Sequence, residues 1–319
     1  MPLNEELVRL YRSFEDPEAG VREEFHQPRL GPGRTVAVLS RPTGSSSSVG
    51  WVLCHSFGIE QVNLHRLEVL TARAMAAAGF PVLRFHVQGY GDAERRGEPV
   101  DVAWHVDGTA DALSFVRTLD GVEAVGLIGF RFGALVAALV ADRGGVAHLG
   151  LVQPYVTGSH FLNEFLQTAL FEQMFDTIGQ QAETPRSLLD HLDSHEWKDL
   201  NGFRLTLQAY QRIIQIDLTS DVRRFRGSAL VLGLSRSGEM PEEPARLAAH
   251  LGSIGAECST EAIAEKWAHM LGQHHFMKVG DGEVERDVFF ETFPRVAASV
   301  VRWANRTVAD RLPSPAAPG

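Results

Sequence analysis

VGLIGFRFGALVAALVA, Val125 to Ala141, is the stretch on which the fold turns. An apolar strand runs into Gly129-Phe130-Arg131-Phe132-Gly133 and then directly into an alanine-rich helix. Two glycines four positions apart flank a strand-to-helix turn so tight that a side chain at either would collide with a neighbouring strand or helix. This is the spacing of a nucleophile elbow, G-x-S-x-G, which lifts its central side chain above the end of a sheet. The central residue here is Arg131, not Ser, Cys or Asp. A guanidinium stays protonated and has no usable lone pair, so Arg131 cannot attack an acyl carbon. At a helix N-terminus its charge adds to the helix dipole and to free backbone N–H groups, and the site favours an anion. That anion is either a ligand carboxylate or phosphate, or a carboxylate of the chain itself.

Working outward, strands and helices alternate. Arg34–Arg41, Trp51–His55, Pro81–Val87, Ala124–Phe130 and His148–Pro154 read as strands, and Val62–Ala78, Trp104–Leu119 and Phe132–Arg143 as helices between them. Units of about 30 residues mean βαβ crossovers, hence a mostly parallel sheet with helices on both faces. Thr43–Gly50 (TGSSSSVG) reads as a hairpin connection, and Leu3, Leu7, Leu10, Tyr11 and Phe14 predict a short lead-in helix. Residues 156–225 break the alternation, with helical spacing at Phe161–Phe175 and Phe203–Ile216 and no strand-like run. They predict a helical lid over a core formed by residues 1–155 and 226–319. Two apolar faces on Phe161–Phe175 fit a lid over a ligand pocket or, alternatively, a homodimer interface. A strand at Ala229–Leu234, a helix at Pro244–Leu251, a strand near Glu257–Ala262 and a helix at Phe293–Val308 close the core, and the tail PSPAAPG is too polar to pack.

The composition bounds the function. In 319 residues, 30 Lys and Arg stand against 40 Asp and Glu, a formal charge of −10, which argues against a generic grip on nucleic acid or an anionic membrane. No apolar run approaches the ~20 residues of a membrane span, and the acidic N-terminus is unlike a signal peptide. Cys54 and Cys258 are the two cysteines, too few for a disulfide scaffold or a cysteine-rich zinc site. The expectation is a cytoplasmic protein without cofactor. Gly89–Gly97 lacks the G-K-[ST] ending of a phosphate loop, and no H-x-x-x-H with a third ligand stands out.

Three stretches resemble the α/β-hydrolase superfamily, in its serine aminopeptidase-like group. Cys54-His55-Ser56-Phe57-Gly58 is similar to that group's H-G-x-G oxyanion loop, Gly79–Asp92 (GFPVLRFHVQGYGD) to its GxxVLRFDxxGxGDS stretch, and Gly129–Ala134 to its elbow. The likeness covers residues 34–155 well and 226–308 loosely. It is nearer to a subgroup found beside polyketide and exopolysaccharide biosynthesis genes, with G-L-R-L-G-A at the elbow, a Glu after the oxyanion loop (Glu60 here) and a D-P-like pair after the next strand (Gln153-Pro154 here). The resemblance implies that Arg at the elbow is a feature of that subgroup. Against the wider group, Ser56 replaces Gly, His86 replaces Asp and Ala93 replaces Ser, which weakens any transfer of hydrolase activity.

Glu60, which follows the oxyanion loop, is the natural partner for Arg131; Asp92 is the other carboxylate considered. His55 and Ser56 sit at the C-terminal end of a central strand, where open α/β sheets place ligands. His55 is either a base or a structural imidazole, and Cys54, on the opposite side of the strand, reads as a buried small residue. By position in the resembling fold, Glu239 in SRSGEMPEE matches the triad acid, and His269, His274 or His275 the triad base. Phe57, Phe130, Phe132, Phe161 and Phe165 are expected to line a space between lid and elbow that suits an apolar, acyl or polyketide-like ligand with an anionic end. Three functions compete. The leading one is a non-serine enzyme of secondary metabolism acting on an acyl or polyketide-derived intermediate by acid–base or electrostatic chemistry. The others are a catalytically silent fold that binds a ligand or partner, and a hydrolase or acyltransferase using Ser56 or Cys54.

Overall fold

The computed structural model describes residues 12–176, 185–266, 268–271, 276–278, 285–287 and 289–309. The chain opens with strands β1 (Ser13–Asp16) and β2 (Val21–His26), a small hairpin of β3 (Arg29–Leu30) and β4 (Gly33–Arg34), then β5 (Ala37–Pro42) and β6 (Val49–Cys54). Helix α1 (Ile59–Ala77), β7 (Val82–Phe85), α2 (Val102–Arg117), β8 (Ala124–Phe130), α3 (Phe132–Asp142) and β9 (His148–Val152) continue the alternation. Next come α4 (Gly158–Asp176), α5 (Pro185–Ser194), β10 (Lys198–Leu200), β11 (Phe203–Leu205), α6 (Leu207–Ile214) and α7 (Leu218–Asp221). The chain closes through β12 (Ser228–Ser235), α8 (Glu242–Ser253), β13 (Glu257–Ala264), a hairpin of β14 (Phe276–Lys278) and β15 (Glu285–Asp287), and α9 (Thr292–Ala309).

Nine strands form one sheet in the order β1-β2-β5-β7-β6-β8-β9-β12-β13, antiparallel at the β1 end and parallel from β7 onward. Every residue of β6 is buried, as the near-continuous apolar run of a strand covered on both faces requires. The two faces carry separate cores. Leu39, Leu83, Leu127, Leu135 and Leu149 belong to one, under α2 and α3; Trp51, Leu67, Ile128, Phe293 and Trp303 belong to the other, under α1 and α9. Helix α3 is buried almost all round, which its sequence FGALVAALVAD allows because ten of its residues need no water.

Several expectations change. Thr43–Gly50 does not close a hairpin, because β7 lies between β5 and β6. The strand expected at Arg34–Arg41 begins at Ala37, and the helix expected across residues 3–14 gives way at its end to β1, residues 3–11 lying outside the described set. Residues 156–225 include the β10–β11 hairpin and are therefore not wholly helical. The tail and the side chains of Phe171 and Phe175 also lie outside the described residues.

Register places the functional end. Cys54 pairs with Gly129 across β6 and β8, and Phe130 with Val152 across β8 and β9. The loop after β6, the turn after β8 and the segment after β9 therefore emerge side by side at the C-terminal edge of the parallel strands, where such sheets bind ligands.

Candidate functional site

Arg131 sits in the turn after β8 with φ 49° and ψ −114°, a conformation that costs a non-glycine residue free energy and persists only when its surroundings enforce it. Its N–H donates to Val152 O at 2.9 Å, and its side chain is only 6 % exposed. Burial of a guanidinium demands partners. Nε donates to Glu60 Oε1 at 2.6 Å, the pair expected from the sequence. Nη2 donates to Glu164 Oε2 at 2.8 Å and to the Tyr155 hydroxyl, whose own proton goes to Glu164 Oε2 at 2.7 Å.

Glu60 stands in the first turn of α1, where a carboxylate is favoured by the helix dipole. Its Oε2 accepts from the Phe132 N–H at 3.2 Å and from the Ser56 hydroxyl. In a serine-type elbow, the N–H of the residue after the nucleophile is one of the two donors that hold the reaction oxyanion. Here an internal carboxylate takes that donor. Burial pushes the Glu60 carboxyl above its usual range, opposed by Arg131 and by the hydrogen bonds it accepts.

Glu164 belongs to α4 and is more open, with 38 % of its side chain exposed. Its Oε1 lies 3.2 Å from Nε2 of His160, one turn earlier on the helix. His160 Nδ1 lies 2.5 Å from Glu243 Oε2 at the start of α8, and Glu243 Oε1 is 3.6 Å from Arg246. An ionic chain thus runs from the elbow across α4 to α8. Beneath it Phe57, Phe132, Phe161 and Phe165 interlock with ring centroids 4.5 to 5.8 Å apart. These aromatics pack where an acyl pocket was expected. Among the described residues, a half-open pocket of about 20 Å³ remains between Ile59, Glu60, Arg131, Tyr155, Glu164 and Phe165, room for one water.

Of the expected site residues, Arg131, Glu60, Ser56, Phe57, Phe132, Phe161 and Phe165 meet here. His55 points away: Nδ1 bonds Ser56 O at 2.8 Å, Nε2 is buried without a partner, and the ring packs on Tyr90 at 4.4 Å. Burial, reinforced by the His105 imidazole, drives its pKa well down, so it is neutral. Cys54 is fully buried, and burial raises its thiol far from thiolate formation. The Asp92 carboxylate is exposed on its loop, where its N–H donates to His86 Nδ1 at 3.1 Å. Glu239 is exposed in the turn after β12; four residues on, Glu243 is the acid of that stretch that faces the ionic chain. His269 is exposed in a short 3₁₀ turn, and His274 and His275 lie outside the described residues.

Tyr155, His160, Glu164 and Glu243 complete the site and were not singled out from the sequence. One signal existed: His160 and Glu164, at i and i+4, put an ionisable pair on the polar face of a helix whose other face is apolar. His191 and His195 also lie one turn apart, their rings stacked at 4.1 Å, yet among the described residues no group of three or more His, Cys, Asp or Glu could hold a metal.

Behind the oxyanion loop, Ser56 N–H donates to Gln61 Oε1 at 2.6 Å and Gln61 Nε2 to Glu68 Oε2 at 2.7 Å. Burial lifts the Glu68 carboxyl to about 8 from an ordinary 4.5, so it is a neutral acid at pH 7. A raised acid favours folding below the unfolded pKa, and that advantage disappears as pH rises through the folded one. Between pH 5 and 9 the wild type should therefore lose on the order of 3 to 5 kcal/mol more stability than Glu68→Gln, which keeps the acceptor for Gln61 but cannot ionise. Urea midpoints at the two pH values check this; parallel losses in both proteins would remove Glu68 as the cause.

The comparisons with known proteins establish the fold. Est1E of Butyrivibrio proteoclasticus, solved with ferulic acid bound, superposes with a TM-score of 0.60 over 89 % of this chain and 99 % of its own, at 13 % identity. The Pyrococcus furiosus esterase Pf2001 gives 0.56 over 92 % and 96 %, at 11 % identity. Brefeldin A esterase, described as a bacterial homologue of human hormone-sensitive lipase, gives 0.54 over 93 % and 80 %, at 17 % identity. The chain has the α/β-hydrolase fold. No family model and no curated protein matches the sequence. Among the described residues no helix is long and apolar enough to cross a membrane.

Proposed function

We propose that this protein uses the α/β-hydrolase fold without a covalent nucleophile and acts on an acyl or polyketide-derived intermediate by acid–base chemistry. The observation that carries the reading is the Glu60 carboxylate, set on the Phe132 N–H and paired with Arg131. An oxyanion intermediate would have to compete with that carboxylate for its donor. Glu60 itself suits proton transfer: it is buried, its pKa is raised, and it is held between a cation and a hydroxyl. Arg131 supplies fixed positive charge for an enolate or carboxylate developing beside it. Residues 156–225 serve as the lid, and the link to secondary metabolism rests on the G-x-R-x-G resemblance.

Two experiments together test the reading. A fluorophosphonate probe should label no serine near the elbow, and labelling at Ser56 would overturn the non-covalent mechanism. Mass spectrometry of β-keto acids and polyketide-type intermediates incubated with the protein should detect conversion that Glu60→Gln slows at least 100-fold, the scale of one general acid–base group. The small void favours a second reading, a catalytically silent binding protein, and an absence of conversion by the wild type would select it.

A further inference from the structure

Arg131 faces two carboxylates, yet one is enough to balance its charge. Glu60 is the permanent partner: its side chain is 5 % exposed and fixed by Phe132 N–H and Ser56 as well as by Nε. Glu164 differs. It comes from the inserted segment, over a third of its side chain is in water, and its carboxylate is held by donors that would serve any carboxylate equally. Two donors reach Oε2, Arg131 Nη2 at 2.8 Å and the Tyr155 hydroxyl at 2.7 Å; on the other side His160 Nε2 stands 3.2 Å from Oε1, its imidazole held at the other nitrogen by Glu243 at 2.5 Å. A guanidinium, a phenol and an oriented imidazole around one planar anion make a carboxylate-binding site, and the aromatic rings of Phe161 and Phe165 with Ile59 form an apolar wall beside it.

We infer that Glu164 is an internal pseudoligand, and that the natural occupant of this site is a free carboxylate on an aliphatic or acyl chain. The external acid enters when the Glu164 side chain rotates into the water that already reaches it. Its carboxylate takes the Arg131 and Tyr155 donors and the place beside His160, and its first carbons follow the track of the Glu164 methylenes along Ile59 and Phe165. The inference rests on the proposed function in placing the substrate at Arg131, and it narrows that substrate to an acid, as opposed to an ester or thioester with no free carboxylate.

The side chain removed by Glu164→Ala is, in composition, a short carboxylic acid, so the site can be refilled from solution. Arg131 keeps Glu60 in this variant, so the charge pair that folding needs is intact; circular dichroism and a melting curve check that. By titration calorimetry, butanoate should bind Glu164→Ala at least tenfold more tightly than the wild type, and butanamide and butanol should not bind. On the Glu164→Ala background, His160→Ala should weaken butanoate at least fivefold. The inference is overturned if butanoate binds both proteins alike, or if butanol binds as well as butanoate. Labelling of Ser56 would sink the non-covalent mechanism while leaving butanoate binding untouched. Unselective binding with an unlabelled elbow would sink the pseudoligand alone.

Discussion

Glu60→Ala should destabilise the protein by about 3 to 5 kcal/mol, the loss typical when one partner of a buried ion pair is removed. Three groups are stranded at once: Arg131 Nε, the Phe132 N–H and the Ser56 hydroxyl all donate to this carboxylate. Glu164 and Tyr155 remain on Nη2, but neither accepts from Nε. The double change Glu60→Leu with Arg131→Met should recover part of the loss, because it removes the stranded guanidinium while Phe132 N–H and the Ser56 hydroxyl still lack their acceptor. Urea unfolding of the single and double variants measures the coupling. If the double variant is as unstable as Glu60→Ala, the ion pair is not the origin of the effect.

Gly129→Ala should be the more damaging substitution, at more than about 4 kcal/mol, because the clash it creates is with backbone. A Cβ at this position would lie inside the van der Waals radii of the Gly133 carbonyl and the Ala134 nitrogen. A flexible side chain could step aside, but the first turn of α3 cannot, since it packs directly on the face of the paired strands β6 and β8. Gly133→Ala meets the Cys54 carbonyl in the same way. Soluble yield and melting temperature provide the test. A Gly129→Ala protein within about 1 kcal/mol of wild type would mean that the turn can open more easily than its packing suggests.

The elbow was legible because its determinants are local: an all-apolar strand, two glycines at fixed spacing, and a helix with no polar face. Glu60 was legible from its distance to the oxyanion loop. The strands β1 and β2 were not, because SFED and VREEFH are half-solvated, and the buried Glu23 among them makes sense only beside Arg73 and Arg84, which come from α1 and β7. The other half of the site was hidden for a related reason. Tyr155, Glu164 and Glu243 lie 24, 33 and, by numbering, about 110 residues from Arg131, and only tertiary packing brings them to one guanidinium or its neighbour. Phe57, Phe132, Phe161 and Phe165 read equally well from sequence as the lining of a cavity and as its filling, whereas Phe130 packs in the core on the other face of the sheet.

The ionic chain also bears on the order in which the molecule assembles. Its members come from α1, the turn before α3, the segment after β9, α4 and α8, so no two neighbouring elements can complete it. Until all have docked, the guanidinium keeps its water, and the pairing yields little. Desolvation and pairing must therefore fall on the native side of the folding barrier. Changes at Glu60, Arg131 or Glu164 would then act chiefly on how fast the finished protein comes apart, and leave the speed at which it forms almost unaltered. A strained turn held by this network should thus contribute to kinetic persistence as well as to the site built on it.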